Sequence, residues 1–193
     1  MESNLYAPPV AVVADVPDVV EGKPFFVVGK AKFFLLFFLT AGFYQFVMYY
    51  IHWARFKRAT KTPMWPIARA FFAIFFIHSL AEEVDHRLHR ENIRYDWSPK
   101  LSATVVVVAL IADRILGRID ESIVSAETSI IAMFALLLPT AWFLWQIQAA
   151  ANLAAGDPDG QANRRLTLAN WLWIVPFALL WLLVAAGLAM PDA

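Results

Sequence analysis

Two apolar runs near the C-terminal end constrain this chain more than anything else in it. Ser129 to Gln148 and Leu168 to Met190 each supply the ~20 predominantly apolar residues that a helix rising about 1.5 Å per residue needs to cross a bilayer core. Between them lies Gly156-Asp157-Pro158-Asp159-Gly160, a string of turn formers. The expectation is a transmembrane hairpin. Trp142 and Trp145 lie late in the first run, and Trp171 and Trp173 open the second. All four therefore fall towards one membrane–water interface, where indole rings accumulate. A soluble fold would have to bury both runs on every side with few polar faces left to cover them. Of 193 residues, 60% are hydrophobic and 17% charged, whereas a soluble domain is about half apolar and about a quarter charged.

Three weaker segments precede the pair. Phe33 to Trp53 is long enough to cross. Ile67 to Leu80 is shorter than a crossing needs, which favours an interfacial, re-entrant or tilted piece. The third contains the β-branched run Thr104 to Val108 and spans only if Trp97 to Leu116 forms one helix. The expected fold class is all-α: a polytopic membrane protein, built as a helical bundle with three to five membrane segments (about 33–53, 67–80, 97–116, 129–148 and 168–190) plus an amphipathic interfacial helix. These segments make residues 25–193 a helical membrane domain. Residues 1–24, acidic and broken by Pro8-Pro9 and Pro17, read as a disordered tail. Met1 to Glu21 has no Lys or Arg and no apolar core, unlike a signal peptide, so insertion is expected through the later segments.

Basic residues set orientation. Lys23, Lys30 and Lys32 precede the first segment, and Arg55, Lys57, Arg58, Lys61 and Arg69 follow it. Arg87, Arg90, Arg94 and Lys100 separate the second from the third, and Arg164 and Arg165 sit in the last loop. Pro191-Asp192-Ala193 carries none, which directs the C-terminus to the periplasmic side of a bacterial inner membrane. Two topologies fit. In one, the first two segments enter from the cytoplasm and return, breaking at Thr40-Ala41-Gly42, and the last three span; glycine permits the tight turn. In the other, four helices cross and the N-terminus is external.

The stretch HSLAEEVDHRLHRE, residues 78 to 91, is the one place where metal chemistry comes to mind. On a helix, His78, Glu82, His86 and His89 fall at i, i+4, i+8 and i+11, along one face. Imidazole and carboxylate together suit zinc or iron. Glu83-x-x-His86 matches half of a di-iron motif, but no second copy exists, and the zinc-protease spacing is absent. The same residues also read as an amphipathic helix along the headgroups, with Ile77, Leu80, Ala81, Val84 and Leu88 as its apolar stripe and Arg87–Glu91 as an i,i+4 ion pair.

Other chemistry is sparse. The absence of cysteine excludes disulfides, thiolate metal sites and cysteine nucleophiles, and a formal net charge of zero argues against nucleic acid as a partner. No phosphate loop, nucleophile elbow or dinucleotide fingerprint occurs. The closing helices hold no ionisable group within them, against a carboxylate-relay pump. Gln45 reads as interhelical glue, and Pro139 and Pro176 as kinks that could open a cavity or lipid groove. Trp53, Arg55, Lys57 and Arg58 combine interfacial ring and cations, suited to anionic lipid headgroups.

Several short stretches resemble a family of uncharacterised bacterial multi-pass inner-membrane proteins. They are Asn4-Leu5-Tyr6-Ala7-Pro8, like an N-P-Y-A-x-P tail with Leu5 in place of proline; Thr40-x-Gly42-x-Tyr44 and Tyr49-Tyr50-x-x-Trp53 within the first segment; Arg69-Ala70-Phe71-Phe72; and Asn163 to Trp171. The resemblance implies a bacterial inner-membrane protein and carries no activity with it.

The function expected is that of a non-catalytic membrane interaction or accessory component. Asn4, Tyr6 and Pro8 would serve a partner-docking tail, the lipid bilayer would be the immediate environment, and a protein partner or homo-oligomer would complete it. No cofactor is expected on this reading. One alternative is a metal- or haem-dependent membrane enzyme using the His78 to His89 face. Another is a small oligomeric channel or transporter.

Overall fold

The computed structural model describes residues 23–120 and 122–189. The partner-docking tail expected at Asn4, Tyr6 and Pro8 lies outside the described residues. Within them are seven α-helices and no strand. They are α1 Lys30–Leu39, α2 Tyr44–Thr60, α3 Pro66–Phe71, α4 Ala73–Arg90, α5 Pro99–Leu116, α6 Ala126–Ala154 and α7 Leu168–Ala189. Among the described residues the regular structure is all helical, and two helices, α6 and α7, are long and apolar enough to cross a membrane.

The first apolar segment is two helices rather than one. The break falls at Thr40 to Phe43, where Ala41 and Gly42 take left-handed conformations (φ 48° and 83°) and Gly42 N–H closes on Phe37 O at 2.8 Å. Thr40 Oγ1 accepts the Tyr44 N–H at 2.9 Å and so starts α2. The turn sends the chain back, so that His52 lies beside Phe26, just before the start of α1. The second segment is broken as well, at Phe72, between α3 and α4. Proline opens α3 and α5, where a missing N–H costs no hydrogen bond, and Ser98 and Ser125 cap α5 and α6 by accepting N–H bonds from Leu101 and Thr128.

Helices α4, α5 and α6 form the centre. Ala103, Val106 and Ala109 of α5 and Ala141, Ala150, Ala151 and Ala154 of α6 are buried, and these small side chains let the helix backbones approach closely. The stripe of α4 exists as its 3.6-residue period predicts, but its surroundings differ from the expectation. Ile77, Leu80, Ala81, Val84 and Leu88 are at most 2% exposed and pack inside the protein core, so the face assigned to headgroups is covered by protein.

The two closing helices are also not a tight pair. Among the described residues no Cα of α6 comes within 8 Å of one in α7. Helix α1 packs against both and separates them, and Trp181 Nε1–H donates to Leu39 O at 2.8 Å, satisfying a carbonyl at the end of α1.

Candidate functional site

Residues 24 to 29 precede α1 as an extended, buried strap: Pro24 through Gly29 are all buried, with Phe25 1% and Val28 0% exposed. Buried extended backbone needs hydrogen-bond partners, and among the described residues no strand lies alongside to supply them. Side chains do so instead. Asn152 of α6 treats Val28 as a neighbouring strand would, accepting its N–H on Oδ1 at 3.1 Å and donating Nδ2–H to its carbonyl at 2.9 Å. One turn earlier, Gln148 donates Nε2–H to Phe26 O at 2.8 Å and to Asn152 Oδ1 at 2.8 Å. The Phe26 N–H reaches His52 Nδ1 at 3.2 Å.

That last bond fixes the imidazole. Nδ1 accepts, so the proton is on Nε2, which donates to Gln148 Oε1 at 3.0 Å. The three side chains and two strap residues form one directional circuit, and His52, Gln148 and Asn152 have no solvent exposure. Burial, with the nearby Arg55 charge adding to it, pushes the His52 pKa down from 6.5 to about 4, so the ring is neutral at physiological pH.

The loop between the two long helices closes the outer side. Asn163 Nδ2–H donates to Val27 O at 2.9 Å, and its Oδ1 takes Lys32 Nζ at 2.7 Å. Lys32 also donates to Arg165 O at 2.8 Å. Asp157 receives N–H bonds from Gln161 and Ala162 at 2.8 and 2.9 Å, bonds that hold its carboxyl below the usual carboxylate range. Gly160, at φ 64°, lies so close that a methyl group there would meet the Val28 carbonyl at 2.3 Å. Arg55 Nη1 reaches Phe25 O at 3.2 Å. The strap is therefore held through its backbone by residues from α2, α6 and the 156–165 loop, a device suited to fixing distant stretches of the chain together and already fully occupied.

The residues singled out from sequence are placed differently. His78 bonds Thr104 Oγ1 at 3.1 Å and His89 turns back to Asp85, whereas Glu82 and His86 are exposed. Among the described residues no group of three or more His, Asp or Glu is arranged to hold a metal ion. The Arg87–Glu91 pair forms as expected. Trp53, read as a lipid anchor, is instead 1% exposed beneath Arg69, whose guanidinium lies 4.3 Å from its ring centroid and 5.1 Å from that of Phe76. Arg55 serves the strap, and Lys57 and Arg58 remain exposed. Trp142, Trp171 and Trp173 are exposed, and Trp145 packs on Phe33 and Phe34. Gln45 Oε1 is buried without a hydrogen-bond partner among the described residues, as are the Tyr44 and Tyr49 hydroxyls, so that oxygen makes no interhelical bond. Pro139 and Pro176 lie within continuous helices, with Thr140 Oγ1 donating to Leu136 O at 2.7 Å beside the first.

His52, Gln148 and Asn152 escaped sequence reasoning as a site. The available signal was Gln148 and Asn152 standing one turn apart on an otherwise apolar helix end. No family model, curated protein or solved structure matches the chain.

Proposed function

We propose that the chain is a multi-pass protein of a bacterial inner membrane, of the kind its short motifs resemble, acting as a non-catalytic interaction or accessory component. The observation that carries the membrane assignment is the surface of α7: Leu168, Leu172, Val175, Leu179, Leu182 and Leu183, each at least half exposed, form one apolar face along the length of the helix, and Trp171 and Leu180 widen it on either side. Contiguous apolar surface on that scale is unstable in water and ordinary in lipid.

Charge supports an orientation. Arg55, Lys57, Arg58, Arg87, Arg90, Arg164 and Arg165 gather at the end of the molecule that holds the strap, whereas Arg114 and Arg118 stand with Asp113, Asp120 and Glu127 at the other end of α5 and α6, so basic charge is concentrated at the strap end. With positive charge inside, the strap end is cytoplasmic and the C-terminus periplasmic. The α1–α2 hairpin then enters and leaves from the cytoplasmic side. Trp65, Phe71, Phe72 and Phe75, all at least half exposed, offer an apolar surface for the interfacial region, with Lys57 and Arg58 available to anionic headgroups.

The non-catalytic reading is supported by the character of the densest polar cluster, which is closed, internally satisfied and filled by the chain's own backbone. Ultracentrifugation of lysed cells tests the membrane assignment. The untagged chain is expected in the membrane pellet, resistant to salt and released by detergent. Recovery as a monodisperse species in detergent-free supernatant sinks it.

A further inference from the structure

Because α1 is only 10 residues long, it fills the space between α6 and α7 over part of their length. Beyond its end at the Thr40–Phe43 turn the gap is open, and it forms an apolar cleft of about 250 Å³. Met133, Phe134 and Leu137 of α6 face Leu180 and Val184 of α7 across it, with Ala41 closing one end. The Phe134 and Trp181 rings, 5.1 Å apart, bridge the two walls.

One charged residue, Asp113, is among the described residues lining this cleft. It lies one turn before the end of α5, and no ion pair to its carboxylate occurs among the described residues. The combination is a hydrocarbon slot with one carboxylate in its lining that has no ion-pair partner among the described residues, complementary to an amphiphile whose polar head carries a cation. Size narrows the occupant further. An apolar cavity of roughly 150 Å³ accepts benzene, so this one accepts a longer hydrocarbon, but a helix about 10 Å across does not fit.

We propose that the cleft is a phospholipid site, in which one acyl chain lies between α6 and α7 while the protonated amine of an ethanolamine headgroup pairs with Asp113. The inference rests on the membrane reading above, since the slot opens between the two helices assigned to lipid.

Native mass spectrometry of the full chain in detergent, incubated with phosphatidylethanolamine or phosphatidylglycerol of identical acyl chains, tests it. A charge-assisted bond to the amine predicts about tenfold greater retention of phosphatidylethanolamine. Asp113→Asn is expected to erase that preference while retaining lipid. Val184→Trp and Met133→Trp, which fill the slot from opposite walls, are each expected to lose both lipids; two variants guard against one failing to fold. Equal retention of the two lipids by the unmodified chain overturns the proposal, as does undiminished retention in both filled variants or a dimer that lipid does not dissociate. Fractionation separates the two ideas: a chain that pellets yet shows no headgroup preference sinks the site alone, and one in the supernatant that still retains phosphatidylethanolamine sinks the membrane assignment alone.

Discussion

His52 Nε2 and Gln148 Oε1 lie 3.0 Å apart, 96 positions apart in sequence, and neither residue has any solvent exposure. The bond has one possible direction, because the Phe26 N–H occupies the other ring nitrogen. A protonated His52 would present two donors and no acceptor, setting an N–H against an N–H at Phe26.

Stability should therefore fall in mild acid. The folded pKa of about 4 lies below the unfolded value of 6.5, so between these values the unfolded chain binds the extra proton. The contribution is complete above pH 6.5 and is lost as pH falls towards 4, amounting to about 3 kcal/mol at 1.36 kcal/mol per unit. Melting midpoints of the detergent-solubilised protein between pH 7.5 and 4.5 (about the span set by linkage) should drop for the native chain. His52→Gln should flatten that profile relative to it.

Asn152→Ala removes the partner of both Val28 backbone groups and one acceptor of Gln148. Unsatisfied buried groups cost about 1–3 kcal/mol each, so a loss of about 3 kcal/mol is expected. For a chain of this size that lowers the melting midpoint by roughly 6–12 °C. An unchanged midpoint would mean that the strap is not held by this amide.

Two glycines with similar backbone angles separate crowding from conformational strain. Gly156 (φ 72°) has open space where a Cβ would go, and Gly160 (φ 64°) has the Val28 carbonyl at 2.3 Å. Gly156→Ala should cost only the left-handed penalty of about 1–2 kcal/mol. Gly160→Ala should cost that and about 1–3 kcal/mol more from overpacking. Chemical or thermal melts of the two variants side by side check the order.

Leu179→Arg distinguishes lipid from water around α7. On a water-facing helix this exposed position would tolerate the change within about 0.5 kcal/mol, whereas at the centre of a membrane helix arginine costs about 2.5–3.5 kcal/mol. Reduced membrane yield and a lowered midpoint are expected, and wild-type behaviour in both assays counts against burial of α7 in lipid.

What could be read in advance follows from the range of each signal. Helices α6 and α7 were visible because a long run of Leu, Ala, Phe and Trp has few other ways to satisfy its backbone and hide its side chains. The break at Thr40 to Gly42 belonged to one of two topologies that fit the sequence, because glycine permits a local turn without requiring one. Periodicity showed that Ile77, Leu80 and Val84 share a buried face, but a period cannot say whether lipid or protein covers that face. The strap was the least visible element. Phe25-Phe26-Val27-Val28 carries no helical or alternating pattern, and its partners Asn152 and Asn163 lie 124 and 136 positions downstream. Recognition through backbone atoms leaves little trace in the strap's own side chains.

That separation also bears on how the molecule is made. A ribosome adding about 5–20 residues per second needs roughly 7–27 s to travel the 136 positions from Val27 to Asn163. Throughout that interval the nascent Phe25 to Val28 stretch has its α2 partners alone, so its last step of assembly must follow synthesis of the loop between α6 and α7. Until then the Val27 and Val28 backbone groups are unpartnered, and a product cut short before Asn152 lacks the amide that fastens Val28.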